Sequence, residues 1–103
     1  MDPSALEDKA ELASRLLKSL ANERRLLILC HLIKGEKSVG ELEKLVGLSQ
    51  SALSQHLARL RKEDMVTTRR DAQTIFYSVA SSEAKAVLAT LYELYCAEEP
   101  AHA

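Results

Sequence analysis

The chain has 103 residues, a formal net charge of −1 and a largely aliphatic hydrophobic content of 47%. This length predicts a single domain, residues 1–103, with one small core. The amino terminus is polar, and no run approaches the ~18 apolar residues that a membrane span requires. We therefore expect a cytoplasmic protein without a membrane segment, and in such a reducing compartment its two cysteines do not predict a permanent structural disulfide.

Charge is distributed unevenly along the chain. Residues 49–71 carry five basic and three acidic side chains, whereas residues 72–103 carry one basic and four acidic ones. A net charge near zero limits non-specific affinity for nucleic acid, which is largely electrostatic. The local excess of positive charge makes residues 49–71 the segment in which DNA binding is expected.

Apolar spacing predicts two helices in the first third of the chain. Apolar residues between Ser4 and Leu20 recur at intervals of three and four, which indicates an amphipathic helix. Asn22 is placed to cap a second helix, Glu23–Ile33, and Gly35 ends it. The expected inward stripe of the second helix is Leu26, Leu29, Cys30 and Ile33. Cys30 is therefore expected to face the core.

Capping signals predict two more helices in the middle of the chain. Ser38 and Glu41 form an S-x-x-E capping box at the start of a short third helix, and Gly47 is placed to turn the chain after it. Ser49 is placed to cap a fourth helix that runs to about Glu63. The inward side chains of the fourth helix are expected to be Leu53, Leu57 and Leu60.

Two short segments after the fourth helix predict a β-hairpin. Met65–Arg70 and Thr74–Val79 are rich in β-branched and aromatic residues, and residues 71–73 separate them. Asp64 stands before the hairpin, where a left-handed residue is often needed, and Asp tolerates that conformation better than most residues. The tip of the hairpin contains no glycine.

A last helix completes the predicted fold. Ser81 or Ser82 caps it, Glu83 lies in its first turn, and the tail 98–103 is expected to fray. Its apolar face comprises Val87, Leu88, Leu91, Leu94 and Tyr95. The predicted class is mainly α with a small β-hairpin wing, a winged helix-turn-helix of about five helices and two strands.

The fourth helix is expected to enter a DNA groove. With its leucines turned inward at about 100° per residue, short polar side chains point outward at its N-terminal end, where base edges are usually met. Gln can bond adenine at two atoms and Ser can bond most bases, whereas basic side chains farther along suit phosphate. Arg69 and Arg70 on the hairpin are placed for the DNA backbone or the minor groove. The predicted DNA-binding residues are Gln50, Ser51, Ser54, Gln55, His56, Arg59, Lys62, Arg69, Arg70 and Gln73.

Any one of these residues is also compatible with a solvated helix face or an ordinary hairpin. The order of helix, turn, helix and hairpin agrees with the placement of charge, and this agreement favours DNA binding. His56 lies between the inward and outward faces of the helix. It either contacts phosphate or bonds the backbone and fixes the turn.

Two segments resemble the ArsR family of dimeric bacterial repressors: LLKSLANERRLLILCHL and ELEKLVGLSQSALSQHLARLRKEDMV. With the hairpin, the resemblance extends over roughly Ala13 to Cys96, and the run S-Q-S-x-x-S-Q-H-L-x-x-L is its most specific part. It implies a homodimer built by the first and last helices on a roughly palindromic operator in double-stranded DNA. It also implies that base contacts come from Gln50, Ser51, Ser54 and Gln55.

Many members of that family sense metals, and this chain departs from their pattern. Its third helix has no Cys-x-Cys, and its last helix has no His or Asp, so the interfacial zinc ligands of the family are missing. The remaining cysteines resemble those of the sulfide- and persulfide-responsive branch, which includes the biofilm growth-associated repressor. That resemblance implies that Cys30 and Cys96 form a redox-sensing pair. Reactive sulfur species or oxidants would link them and relieve repression, with no metal or other cofactor.

A direct disulfide requires Cα atoms within ~7 Å, and a bridge with extra sulfur atoms relaxes that limit. The second and last helices of this topology can be neighbours. Thiolates form less readily near helix C-termini, where both cysteines lie, although His31 and Lys34 are placed to compensate. The alternative is that Cys30 is a small hydrophobic side chain of the core.

Other classes of function have less support. An enzyme is not expected, because the chain has no Cys-x-x-Cys, no Ser/His/Asp order typical of a triad and no phosphate-binding glycine loop. A winged helix used only for protein interaction is one alternative. A metal sensor that uses the two thiolates with His31 or a ligand from the partner is another.

Overall fold

Five helices and a three-stranded antiparallel sheet form the part of the chain that the computed structural model describes, residues 2–96. The helices are α1 (Pro3–Leu20), α2 (Glu23–Ile33), α3 (Val39–Val46), α4 (Gln50–Lys62) and α5 (Ser82–Tyr95). The strands are β1 (Lys37–Ser38), β2 (Val66–Asp71) and β3 (Thr74–Val79), in the sheet order β1-β3-β2. The predicted winged-helix class is confirmed. The tail for which fraying was predicted, 98–103, lies outside the described residues.

Side-chain caps fix where the helices begin. The predicted capping box is confirmed: Ser38 accepts a hydrogen bond from the backbone N–H of Glu41 at 3.2 Å, and the Glu41 carboxylate accepts one from Ser38 at 2.8 Å. Asp2 caps α1 by accepting from two backbone N–H groups at 2.9 and 3.0 Å. This cap extends α1 one residue beyond the predicted start, because Pro3 fits the first helical position without needing its missing N–H. The remaining caps are Asn22, Ser49 and Ser81.

The buried face of α2 differs from the predicted stripe. Ile28 and Leu29 are fully buried, the buried face also includes Arg25 and Leu32, and Ile33 is 39% exposed. Seven of the eleven residues of this helix are apolar, so its periodicity does not single out one face. Packing against α3, α4, α5 and β3 decides which side is covered. Of the predicted stripe, Leu26 and Cys30 are only partly buried.

The wing, defined here as the hairpin β2–β3, has strands of the predicted length, and β2 is shifted by one residue to Val66–Asp71. Asp71 pairs with Thr74, so the loop shortens from three residues to two, Ala72 and Gln73. The additional strand β1 pairs with β3, and at two residues it is too short for a periodic pattern to reveal. The wing is therefore attached to the rest of the fold through its inner strand.

Ala72 at the tip of the wing is in the left-handed region, with φ of 58°. This conformation costs a residue with a Cβ about 1 kcal/mol, which glycine avoids. We expect Ala72→Gly to raise the free energy of unfolding by about 0.5 kcal/mol, since the greater freedom of glycine in the unfolded chain offsets part of the gain. Denaturant unfolding of the two proteins measures the difference.

The matched control is Ala80→Gly, because Ala80 is exposed and its φ is not positive. This variant should lose stability through unfolded-state entropy alone. Equal destabilisation by both substitutions would contradict the strain argument at the wing tip.

Candidate DNA interface and dithiol site

Helix α4 is held on the core by its leucines and presents its other side to solvent. Leu53, Leu57 and Leu60 are at most 1% exposed, which confirms the predicted inward side chains. Gly47, with φ of 66°, makes the left-handed turn that separates α3 from α4, as predicted. The two helices pack against each other across this turn, which fixes the direction in which α4 projects.

The candidate base-reading side chains lie together at the N-terminal end of α4. The exposed residues of this end are Gln50, Ser51, Ser54 and Gln55. Lys62 is exposed at the opposite end, about 18 Å farther along the helix axis. The arrangement separates short hydrogen-bonding side chains from a basic one, which suits base edges at one end and phosphate at the other.

His56 is half-buried beside two arginines. Burial lowers the pKa of its imidazole, and the positive charges of Arg25 and Arg59 lower it further. The ring is therefore mainly uncharged at neutral pH. This disfavours the hypothesis that His56 contacts phosphate as a cation.

Arg59 is engaged by a carboxylate of its own helix. Its Nε donates to Glu63 at 3.1 Å, and Glu63 also accepts a hydrogen bond of 2.6 Å from the Ser19 hydroxyl. The Ser19 hydrogen bond and the Arg59 pair lower the pKa of Glu63, and Arg25 acts in the same direction. This cluster joins the C-terminal end of α4 to the C-terminal end of α1, so Arg59 has a structural partner that its exposure alone would not reveal.

Arg25 completes that junction and was not anticipated from the sequence. It is 6% exposed and donates to the backbone carbonyl oxygens of Ser19 at 2.8 Å and Lys18 at 3.2 Å. A buried guanidinium is tolerated because its N–H groups meet acceptors, here at the C-terminal end of α1. The sequence alone does not distinguish Arg25 from the adjacent Arg24, which is exposed in the structure.

The basic residues of the wing differ in their partners. Arg69 binds Glu36 through two hydrogen bonds, the longer of 3.2 Å, and its guanidinium lies 4.7 Å from the centre of the Phe76 ring. Arg70 and Gln73 are exposed near the tip. Arg70 is therefore placed for a DNA contact directly, whereas Arg69 must first leave Glu36.

A concave surface of about 370 Å³ lies between α4 and the wing. Its lining comprises Ser54, Ala58, Arg61, Lys62 and Tyr77. Arg61 was missed because it follows Leu57 by one helical turn and therefore borders the inward stripe. The surface adds this arginine and the Tyr77 side chain to the groups that can meet a DNA strand between helix and wing.

The two cysteines lie on helices that pack against each other, α2 and α5. Both thiols are unlinked; Cys30 is half-buried, and Cys96 is exposed at the C-terminal end of α5. Burial raises the pKa of the Cys30 thiol, the charge of nearby Cys96 raises it further, and Lys34 acts in the opposite direction. Solvent reaches Cys96 more readily than Cys30.

A cavity of about 320 Å³ opens beside Cys30. Its lining comprises Cys30, Ile33, Lys34, Leu88, Ala89, Tyr92 and Glu93. The cavity gives small reagents a route to a thiol that is otherwise half-buried.

Residues 2–96 contain no group of three or more His, Cys, Asp or Glu side chains placed to hold one metal ion. Within the same range, no helix has the length and apolar character needed to cross a bilayer.

Large apolar side chains remain uncovered on α1 and α5. On α1, Leu6, Leu12 and Leu17 are 55–59% exposed. On α5, Leu94 is 68% and Tyr95 is 81% exposed. The wide apolar face predicted for α5 is therefore only partly used by the core of this chain.

Comparison with known proteins identifies relatives that span nearly the whole chain. Residues 22–68 match the family described as bacterial regulatory protein, arsR family. The transcriptional activator HlyU of Vibrio cholerae is 53% identical over 96 residues, covering 93% of this chain and 89% of HlyU. The biofilm growth-associated repressor of Xylella fastidiosa is 42% identical over 94 residues, covering 91% of this chain and 82% of the repressor.

Solved structures of both relatives share the fold. Reduced HlyU from Vibrio cholerae superposes with a TM-score of 0.87 at 54% identity, covering 90% of this chain and 98% of that one. The transcriptional repressor BigR from Xylella fastidiosa gives a TM-score of 0.84 at 40% identity, covering 95% of this chain and all of the other.

Proposed function

The chain belongs to the ArsR family of bacterial transcriptional regulators, which are not enzymes, and we propose that it is a homodimeric repressor controlled by the thiols of Cys30 and Cys96. In this proposal the reduced dimer binds operator DNA, and linking the two sulfurs releases it. The whole chain acts as one DNA-binding domain with dimerising end helices. The observation that carries the proposal is the placement of the two cysteines on the packed helices α2 and α5.

Operator binding is assigned to α4 and the wing. Exposed Gln and Ser side chains at the N-terminal end of α4 support direct base contacts, and Lys62, Arg61 and Arg70 support backbone contacts. The test is fluorescence anisotropy of promoter fragments with the reduced protein over a salt series. Selective binding that weakens steeply with salt is expected. A protein-interaction module would give no salt-dependent selectivity.

Dimerisation is assigned to the exposed apolar side chains of α1 and α5. Covering them with a second copy removes apolar surface from water and brings two α4 helices to major grooves about 34 Å apart. We expect Leu17→Glu and Leu94→Glu each to shift the protein to monomer and to weaken operator binding. Sedimentation velocity reports the oligomeric state directly.

Leu45→Glu is the control for dimerisation, since Leu45 is 45% exposed on α3, away from the end helices. It should leave the dimer intact. Dimers that persist in both end-helix variants would place the interface elsewhere.

The proposed switch is a balanced sequence of two thiol reactions. A persulfide R–S–SH transfers its outer sulfur to one cysteine, giving Cys–S–SH and releasing R–SH. The thiolate of the other cysteine then attacks the sulfur bonded to the protein, forms a disulfide and displaces HS⁻. The displaced HS⁻ takes up a proton and leaves as H₂S. With a peroxide, the first product is a sulfenic acid, and the second step releases water. Exposure favours Cys96 as the first residue to react, and the raised pKa of Cys30 slows attack by Cys30 at neutral pH.

The names of the relatives support this proposal to different degrees. One relative is called a repressor and another an activator, so the sign of regulation rests on the likeness to the biofilm growth-associated repressor. The HlyU structure is described as reduced, which specifies a redox state for that protein.

A further inference from the structure

Arg69 in the wing is held in a defined position by contacts from two directions. Its Nε donates to Glu36 Oε2 at 3.2 Å, and its Nη2 donates to Glu36 Oε1. The guanidinium also lies over the Phe76 ring, 4.7 Å from its centre. The side chains of Arg69 and Glu36 are 53% and 37% exposed, so this arrangement is open to solvent and to a large ligand.

The contact joins parts of the chain that are far apart in sequence. Glu36 lies in the turn between α2 and β1, and β3 separates β1 from the strand that carries Arg69. Phe76 is the cross-strand partner of Arg69 on β3, and the face of its ring makes a cation–π contact with the guanidinium. The structure therefore aligns a guanidinium so that two of its N–H groups meet two oxygens of one anion.

A DNA phosphate presents the same pair of oxygens as a carboxylate, and arginine binds either of them with two parallel hydrogen bonds. We propose that Arg69 and Phe76 form a binding site for a DNA backbone phosphate and that Glu36 occupies this site in the unbound protein as an intramolecular competitor. The inference rests on the proposed DNA-binding function.

Competition by Glu36 has a definite electrostatic consequence. An arginine already paired with a carboxylate must exchange one anion for another, so its phosphate contact adds little net favourable charge interaction. The displaced carboxylate is also left near the negatively charged DNA. Glu36 therefore lowers DNA affinity and reduces the number of counterions released on binding, which sets the salt dependence.

The alternative is that Glu36 simply fastens the wing in a DNA-binding position. The two roles predict opposite effects of a Glu36 substitution on DNA affinity. A fastener lost by mutation weakens DNA binding, whereas a competitor lost by mutation strengthens it.

The test is Glu36→Gln, which keeps the size and one acceptor oxygen but removes the charge. Anisotropy with the operator and with random duplex should show affinity raised about threefold to tenfold at low salt for both. The slope of log affinity against log salt should become steeper by about 0.9, the value of one added phosphate contact. Adding Arg69→Ala to this variant should abolish both gains.

Glu11→Gln is the matched control. It removes the same charge from an exposed pair, Glu11 with Arg15 at 3.2 Å on α1, and should not alter the salt slope. Unchanged or weakened DNA binding by Glu36→Gln would overturn the inference while leaving DNA binding by the wild-type protein established. If thermal unfolding shows that Glu36→Gln is not folded, Glu36→Ala carries the same expectation, because it also removes the carboxylate that pairs with Arg69.

Discussion

Treatment of the reduced dimer with a persulfide donor is expected to link Cys30 to Cys96 and to lower operator affinity about a hundredfold. A hundredfold change corresponds to about 2.7 kcal/mol, within the usual range of allosteric coupling. The link acts on α2 and α5, and α2 also packs against α3, α4 and β3. A constraint on α2 can therefore change how the DNA-binding elements are held. It biases affinity only by the free-energy difference between the conformations that it favours and disfavours.

The response should reverse with dithiothreitol, and mass spectrometry should show the linked peptides and the number of sulfur atoms between them. Cys30→Ser and Cys96→Ser should each bind the operator like wild type and lose the response. A full response in either variant would show that the pair is not the sensor and would leave Cys30 as part of the core.

The same protein, titrated anaerobically with zinc, addresses the metal-sensing alternative. Release of DNA by roughly sub-micromolar zinc, the affinity range of a tight site, would support that alternative instead.

Most of the fold was predictable because its signals are local. A capping residue acts on N–H groups two or three residues away, so Asn22, Ser38 and Ser49 identify helix starts from sequence alone. The left-handed conformation of Asp64, with φ of 59°, was anticipated on similar grounds. The strand β1 was not predictable, because its two residues are defined only by their pairing with β3.

The partners of the charged residues divide by sequence separation. Arg59 and Glu63 lie four apart on one helix, so the spacing alone was sufficient to suggest their ion pair. Arg69 and Glu36 are 33 residues apart and meet only because β1 joins the sheet. The buried position of Arg25 likewise depends on where α1 ends relative to α2. The sequence therefore suggests the local ion pair on α4 but gives no sign of the contacts that Arg25 and Arg69 make with distant segments.

Exposure of the cysteines also depends on tertiary structure. Cys30 was expected to face the core, and it is only half-buried, beside a cavity formed where α2 meets α5. The helical pattern of α2 contains no information about that cavity. This difference favours a reactive role for Cys30 over a purely structural one, because reagents can reach it.

Gln55→Ala is expected to lower operator affinity about tenfold to a hundredfold while leaving random-DNA affinity nearly unchanged. Gln55 is exposed near the N-terminal end of α4, and an amide that bonds two atoms of adenine contributes about 1–3 kcal/mol of discrimination. Arg70→Ala provides the contrast, because a lost phosphate contact should weaken operator and random DNA equally and reduce the salt slope by about one. Anisotropy on both DNAs over a salt series separates the two behaviours. Unchanged operator selectivity in Gln55→Ala would mean that α4 presents a different face to the bases, with Gln50 and Ser54 as the next side chains to test.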